Sequence, residues 1–113
     1  MTLAEMTKEE RSLLLFLETQ VVDAGRVKTA HMNREDFEIA EKWHQSGFIQ
    51  FGRICSEDLK KIAKRIGHLT QSPCWCQLSE EAWKLAHEER KARAARIWTK
   101  RDWRTTAEYQ AEP

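Results

Sequence analysis

Two short runs constrain this chain more than anything else in it. FEIAEKWHQSGFIQFGRI couples an apolar helix to a strand through Gly47, and CWCQLSEEAWKLAHEER couples a strand to a capped helix through Ser79. Residues 37–90 therefore read as helix, glycine stop, strand, insert, strand, helix. Gly supplies the left-handed backbone that ends a helix abruptly. Phe48, Ile49, Phe51 and Ile54 then make residues 48–54 strand-prone. Pro73 has no N–H to give a ladder and suits a strand start. Over residues 74–78, Cys74, Cys76 and Leu78 alternate onto one face, and Trp75 and Gln77 onto the other.

The segments around this pattern are helical. Thr7-Lys8-Glu9-Glu10 is a capping box, and Leu13, Leu14, Leu17 and Val21, widened by Phe16, follow at helical spacing until Gly25. Residues 27–30 are expected to form a short strand. Asn33 caps a second helix with Glu35 and Asp36 in its first turn. Its apolar face holds Phe37, Ala40, Trp43 and His44, with Ile39 on the edge. Within the insert, Ser56 is expected to cap a short helix whose apolar face is Leu59, Ile62, Ala63 and Ile66, ended by Gly67. Trp83, Leu85 and Ala86 anchor the last helix, whose later turns are apolar only in part and are expected to project from the body.

At 113 residues the chain has room for one domain. That domain is expected over residues 1–98, followed by a basic and then flexible tail over 99–113. The longest apolar run, residues 13–17, is far too short to cross a bilayer, and no charged-then-apolar leader is expected. A cytoplasmic location is expected. The three Cys are odd in number, and Cys74 and Cys76 are too close to staple a loop, so reduced thiols are expected.

Charge is distributed unevenly. Residues 1–89 carry twelve basic and fifteen acidic side chains, a net of −3. Residues 90–104 carry Arg90, Lys91, Arg93, Arg96, Lys100, Arg101 and Arg104 against Asp102 alone, a net of +6. A second cluster, Lys60, Lys61, Lys64 and Arg65, lies opposite the apolar stripe of the insert helix. Such clusters suit a negatively charged partner, although cations also favour helix C-termini for reasons of their own. Trp98 and Trp103 are interleaved with the basic residues of 90–104, where rings could stack on exposed bases. Trp43, Trp75 and Trp83 are read as structural.

Catalytic and metal chemistry find little support. Cys55, His68, Cys74 and Cys76 are close in sequence, but Cys-x-Cys lacks the two- to four-residue gap of a zinc knuckle and has no second pair. His31, His44, His68 and His87 are scattered, and His44 is expected in the core. The four Gly are isolated, so no phosphate loop exists, and no nucleophile elbow appears. The expectation is a non-enzyme with no cofactor and no metal.

EKWHQSGFIQFGRI resembles the winged-helix signature in which the recognition helix ends in Gly and the first wing strand opens with two apolar residues. CWCQLSEEAWKLA resembles the second wing strand and the helix start after it. The resemblance implies an α+β, mostly helical, winged-helix-like domain. It would have three to four helices, a small two- to three-stranded antiparallel sheet and a long C-terminal helix. It also implies that helix 33–46 enters the major groove while the wing touches the backbone. Residues 25–32 are too short for the helix that normally precedes it, so the helix-turn-helix is truncated or replaced. Helix 33–46 is acidic, with Glu35, Asp36, Glu38 and Glu41 outweighing Arg34 and Lys42. Phosphate contact is therefore expected from the two basic clusters, with Arg34, Lys42 and Gln45 as minor contributors.

Two functions stay open. One is a DNA-binding regulator that contacts phosphates through Lys60, Lys61, Lys64 and Arg65 and the segment from Arg90 to Arg104. The other is a protein-binding adaptor or inhibitor that docks through the acidic helix 33–46 or the C-terminal helix. A homodimer through the C-terminal helix is compatible with both.

Overall fold

Thr7 begins the first long helix by a reciprocal exchange of hydrogen bonds. Its hydroxyl accepts from the Glu10 N–H at 3.1 Å, and the Glu10 carboxylate accepts from the Thr7 N–H at 2.9 Å. In the computed structural model, which describes the backbone of residues 1–101 and the side chains of residues 1–99, helix α1 spans Lys8–Ala24. Leu13, Leu14 and Leu17 of the predicted stripe are buried, and Val21 is half-buried. Leu15 is buried as well, because α1 is covered on a second side by the last helix.

Asn33 and Asp36 repeat the reciprocal cap at the start of α2, Arg34–Ser46, with bonds of 2.8 and 3.1 Å. Trp43 is sealed in the core, and its ring meets Phe48 edge-on at 5.1 Å. Gly47 holds φ at 83°, a left-handed conformation that a side chain would strain. The Phe48 N–H then bonds the Trp43 carbonyl at 3.0 Å, which turns the chain directly into β1, Ile49–Arg53.

Strand β1 pairs antiparallel with β2, Cys74–Leu78, in the register Ile49↔Leu78, Phe51↔Cys76 and Arg53↔Cys74. Cys74, Cys76 and Leu78 all face the core, as their alternation predicts. On the outer face Trp75 lies across Gly52, where an added Cβ would sit 2.8 Å from the indole ring.

The strand expected over residues 27–30 is reduced to one antiparallel bridge, Val27↔Cys74, followed by a 3-10 turn at Thr29–His31. Val27 donates to the Cys74 carbonyl at 2.8 Å, and the Lys28 N–H, which faces the other way, is held by the Gln20 side chain at 2.8 Å. Thr29, the next residue on the ladder edge, already belongs to the 3-10 turn, so the pairing ends after one bridge.

Between the strands lies α3, Ser56–Ile66. Ser56 is its first residue and not its cap. Cys55 holds the cap position in extended conformation and makes no side-chain cap bond, since a thiol is a weak acceptor. No residue of α3 is buried. Its apolar residues Leu59, Ile62 and Ala63 are half-covered, and Ile66 is exposed.

The last helix, α4, spans Glu80–Arg101 and passes the boundary expected at residue 98; residues 102–113 lie outside those described. The Ser79 hydroxyl accepts from the Ala82 N–H at 3.1 Å and starts it. Ala82, Leu85, Ala86 and Glu89 are buried, a helical stripe that packs on α1. Trp83 packs against the same core. Ala94 to Thr99 are exposed, so the later turns do project, as expected. The architecture is α+β and mostly helical, with a two-stranded antiparallel sheet and a long C-terminal helix. No helix among the described residues is long and apolar enough to cross a membrane.

Candidate nucleic-acid interface

The two basic clusters have different electrostatic surroundings. On α4 the arginines turn toward carboxylates. Glu89 is 3% exposed, and its Oε2 accepts from Arg93 Nε at 2.6 Å and from Arg96 at 3.2 Å. Arg11 of α1 stands 3.9 Å from the other oxygen and donates to the Leu3 and Met6 carbonyls at 3.3 and 3.2 Å. Arg90 pairs with Glu18 of α1 and also donates to Thr19 at 2.7 Å and to the Leu15 carbonyl at 3.4 Å. Arg93 reaches Ser12 at 3.3 Å.

Arg90 and Arg93 thus form a seam between α1 and α4, and Arg96 braces Glu89 within α4. Burial raises the Glu89 pKa, but the hydrogen bonds and charges of Arg93 and Arg96 outweigh it and leave the carboxyl below its ordinary value. Glu18 and Glu89 are the buried charged residues among those described, and both are spent on arginine. Sequence reasoning missed them as partners, although both left a signal. Glu18 interrupts the apolar stripe four residues after Leu14, and Glu89 precedes Arg93 by one helical turn.

Lys91 is exposed and forms no ion pair with a described residue. The side chains of Lys100 and Arg101, and the whole of Trp103 and Arg104, lie outside the described residues.

On α3 the arrangement is reversed. Lys60, Lys61, Lys64 and Arg65 are all exposed, and none pairs with a carboxylate among the described residues. At 100° per residue they fill an arc opposite Leu59, Ile62, Ala63 and Ile66. The acids of this helix, Glu57 and Asp58, sit in the first turn, where the helix dipole favours them. Asp58 lines one hollow with Lys61 and Arg65, but neither acid closes an ion pair with these cations among the described residues, and the helix keeps a net positive C-terminal half. Arg53, at the end of β1, lies on the flank of this helix and lines a groove with Lys60; sequence reasoning did not single it out. The α3 and α4 clusters share no hydrogen bond or ion pair among the described residues.

Helix α2 presents Glu35, Glu38 and Glu41 to solvent, and Arg34 pairs with Glu38 at 3.6 Å. Lys42 and Gln45 are exposed. His44 is exposed too, against the expectation of a core histidine. Its Nδ1 accepts the Phe51 N–H at 3.2 Å, so the ring satisfies a strand donor from the rim of the helix–strand joint. Cys74 and Cys76 serve as small apolar residues, and burial pushes the Cys76 thiol up to about 12. Thiolate chemistry is suppressed at such a site. Trp75 is 38% exposed over Gly52, and Trp98 is exposed on the projecting part of α4.

Compared with protein-family models, with curated proteins and with solved structures, the chain matches none.

Proposed function

We propose that this protein is a small, non-catalytic DNA-binding regulator of winged-helix type that holds phosphates through α3. The observation that carries the reading is the contrast between the clusters. Lys60, Lys61, Lys64 and Arg65 face solvent and pair with no carboxylate among the described residues, whereas Arg90, Arg93 and Arg96 are each paired with Glu18 or Glu89. Uncompensated surface cations release condensed counterions from a polyanion on binding, and that release drives association. The order of elements supports the same reading. A helix, a single bridge, a 3-10 turn, a helix ending in Gly and a hairpin follow one another as in a winged-helix domain whose middle helix has shrunk to a turn. The insert helix then takes the place of the wing tip, where backbone contact is expected. Lys91 and the basic residues beyond the seam, Lys100, Arg101 and Arg104, add to the field along the C-terminal segment.

Titration of fluorescent duplex and single-stranded DNA over a range of salt tests the reading. Four phosphate contacts give log K against log salt a slope of roughly −3 to −4. Absence of binding to either probe at low salt overturns it.

A second reading has its own observation. The exposed carboxylates of α2, beside the exposed Phe37, suit a basic protein surface, which makes the chain a docking module. Recovery of a stoichiometric protein partner that Glu35→Lys and Glu41→Lys together release would favour it.

A further inference from the structure

We propose that the groove beside α3 is a self-association surface that takes the edge of α2 from a second copy of this chain. The groove runs between α3 and the loop to β2. Leu59, Ala63, Leu69 and Pro73 form its floor, and Arg53 and Lys60 form its rim. Its volume, ≈ 400 Å³, is large enough for an aromatic side chain. Leu69 is 84% exposed, and α3 has no buried residue, so the apolar floor is left in water in the single chain. Covering it gains the transfer energy that the monomer forgoes.

Charge selects the occupant. The rim is cationic, so a basic helix such as α3 or the outer part of α4 is repelled from it. Helix α2 combines a part-exposed aromatic ring, Phe37, which rests on Phe51, with exposed carboxylates at Glu41 and at Glu38, the latter shared with Arg34. Phe37 and Glu41 are one turn apart on the same edge. An acidic, aromatic edge is the complement of a basic, apolar groove.

Position permits a two-fold arrangement. The chain folds back at Gly47, so α2 lies along β1 with the Phe37 ring against Phe51 at 6.4 Å. Phe51 is two residues before Arg53, which lines the groove. The donor edge and the receiving groove are therefore neighbours on one side of the molecule. A two-fold axis between them lets each copy give its α2 edge and receive its partner's, which closes the assembly at two. Lys61 and Arg65 lie on the far side of α3 from the groove, and Lys64, one turn after Lys60, lies outside its lining. The inference does not depend on DNA binding, and its test contains no nucleic acid.

Sedimentation of the full chain, alone and over a range of concentrations, provides that test. The expected result is a monomer–dimer equilibrium that weakens with salt. Arg53→Glu with Lys60→Glu makes the groove acidic, and Glu38→Lys with Glu41→Lys makes the α2 edge basic. Each double variant is expected to weaken its own dimer by at least about tenfold, since like charges then face each other across both contacts. Mixing the two variants restores a dimer, because each edge now meets a groove of opposite charge. The substituted residues are exposed, and recovery in the mixture shows that both variants are folded. A wild-type chain that stays monomeric at every concentration overturns the proposal. So does a dimer unaffected in both variants, which would place the contact elsewhere, or a mixture that stays monomeric.

Discussion

Glu89 holds the α1–α4 seam together. Its carboxylate is buried, and it receives two arginines from α4 while a third approaches from α1. The carboxyl sits below its ordinary value of 4.5 because the arginines outweigh burial. The unfolded chain therefore takes up this proton at a higher pH than the folded one. The stabilisation is fully present above the ordinary carboxylate value and is lost as pH falls through the lowered one. Urea midpoints measured from neutral pH down to about pH 3 should fall more steeply in the wild type than in Glu89→Gln. At neutral pH, Glu89→Ala should cost about 1–3 kcal/mol by leaving charge-assisted bonds unmade. Arg96→Ala should cost no more than about 1 kcal/mol, because Arg96 is 64% exposed and its charge is screened. Gly52 supplies a second residue-scale test. Gly52→Ala pushes a methyl group into the Trp75 ring and should cost about 1 kcal/mol or more. In a Trp75→Ala background most of that cost should vanish, which a double-mutant cycle in urea measures.

At the scale of elements, the helices divide into those that build the core and one that does not. Helices α1, α2 and α4 each contribute buried residues, and α3 contributes none. Amide exchange should accordingly be fastest in α3 among the four helices and slowest in α1 and the first half of α4. Equal protection of α3 and α1 would contradict this division. The helix starts and stops were legible in the sequence where the signal is local. Thr7, Asn33 and the glycines at 25, 47 and 67 act within one turn of themselves, and the structure places them where their chemistry predicts. The Cys74, Cys76 and Leu78 alternation was legible for the same reason. What was not legible depends on distant approach. The Val27 strand stops at one bridge as the chain turns at Thr29, with Lys28 held from behind by Gln20 of α1. His44 leaves the core because a strand donor meets it at the rim. Arg90 looked free in sequence because Glu18 lies 72 residues away, whereas the Glu89 partner of Arg93 was one turn off and was passed over.

For the molecule as a whole, the charges form two systems with different tasks. One ties α4 to α1, and the other stands on α3 facing solvent. The acidic edge of α2 completes the distribution and gives the basic groove a complement in a second copy. The central claim is that α3, and not the α4 seam, meets the phosphates. It is tested most directly by comparing two triple variants on one duplex across a range of salt. Lys61→Ala, Lys64→Ala and Arg65→Ala together should make the salt slope shallower by roughly 2 to 3, with the fold intact by circular dichroism. Arg90→Ala, Arg93→Ala and Arg96→Ala together should lower the unfolding midpoint and leave the slope of the folded fraction near the wild-type value. A slope unchanged by the α3 variant, or one abolished by the α4 variant in protein that remains folded, would contradict the account.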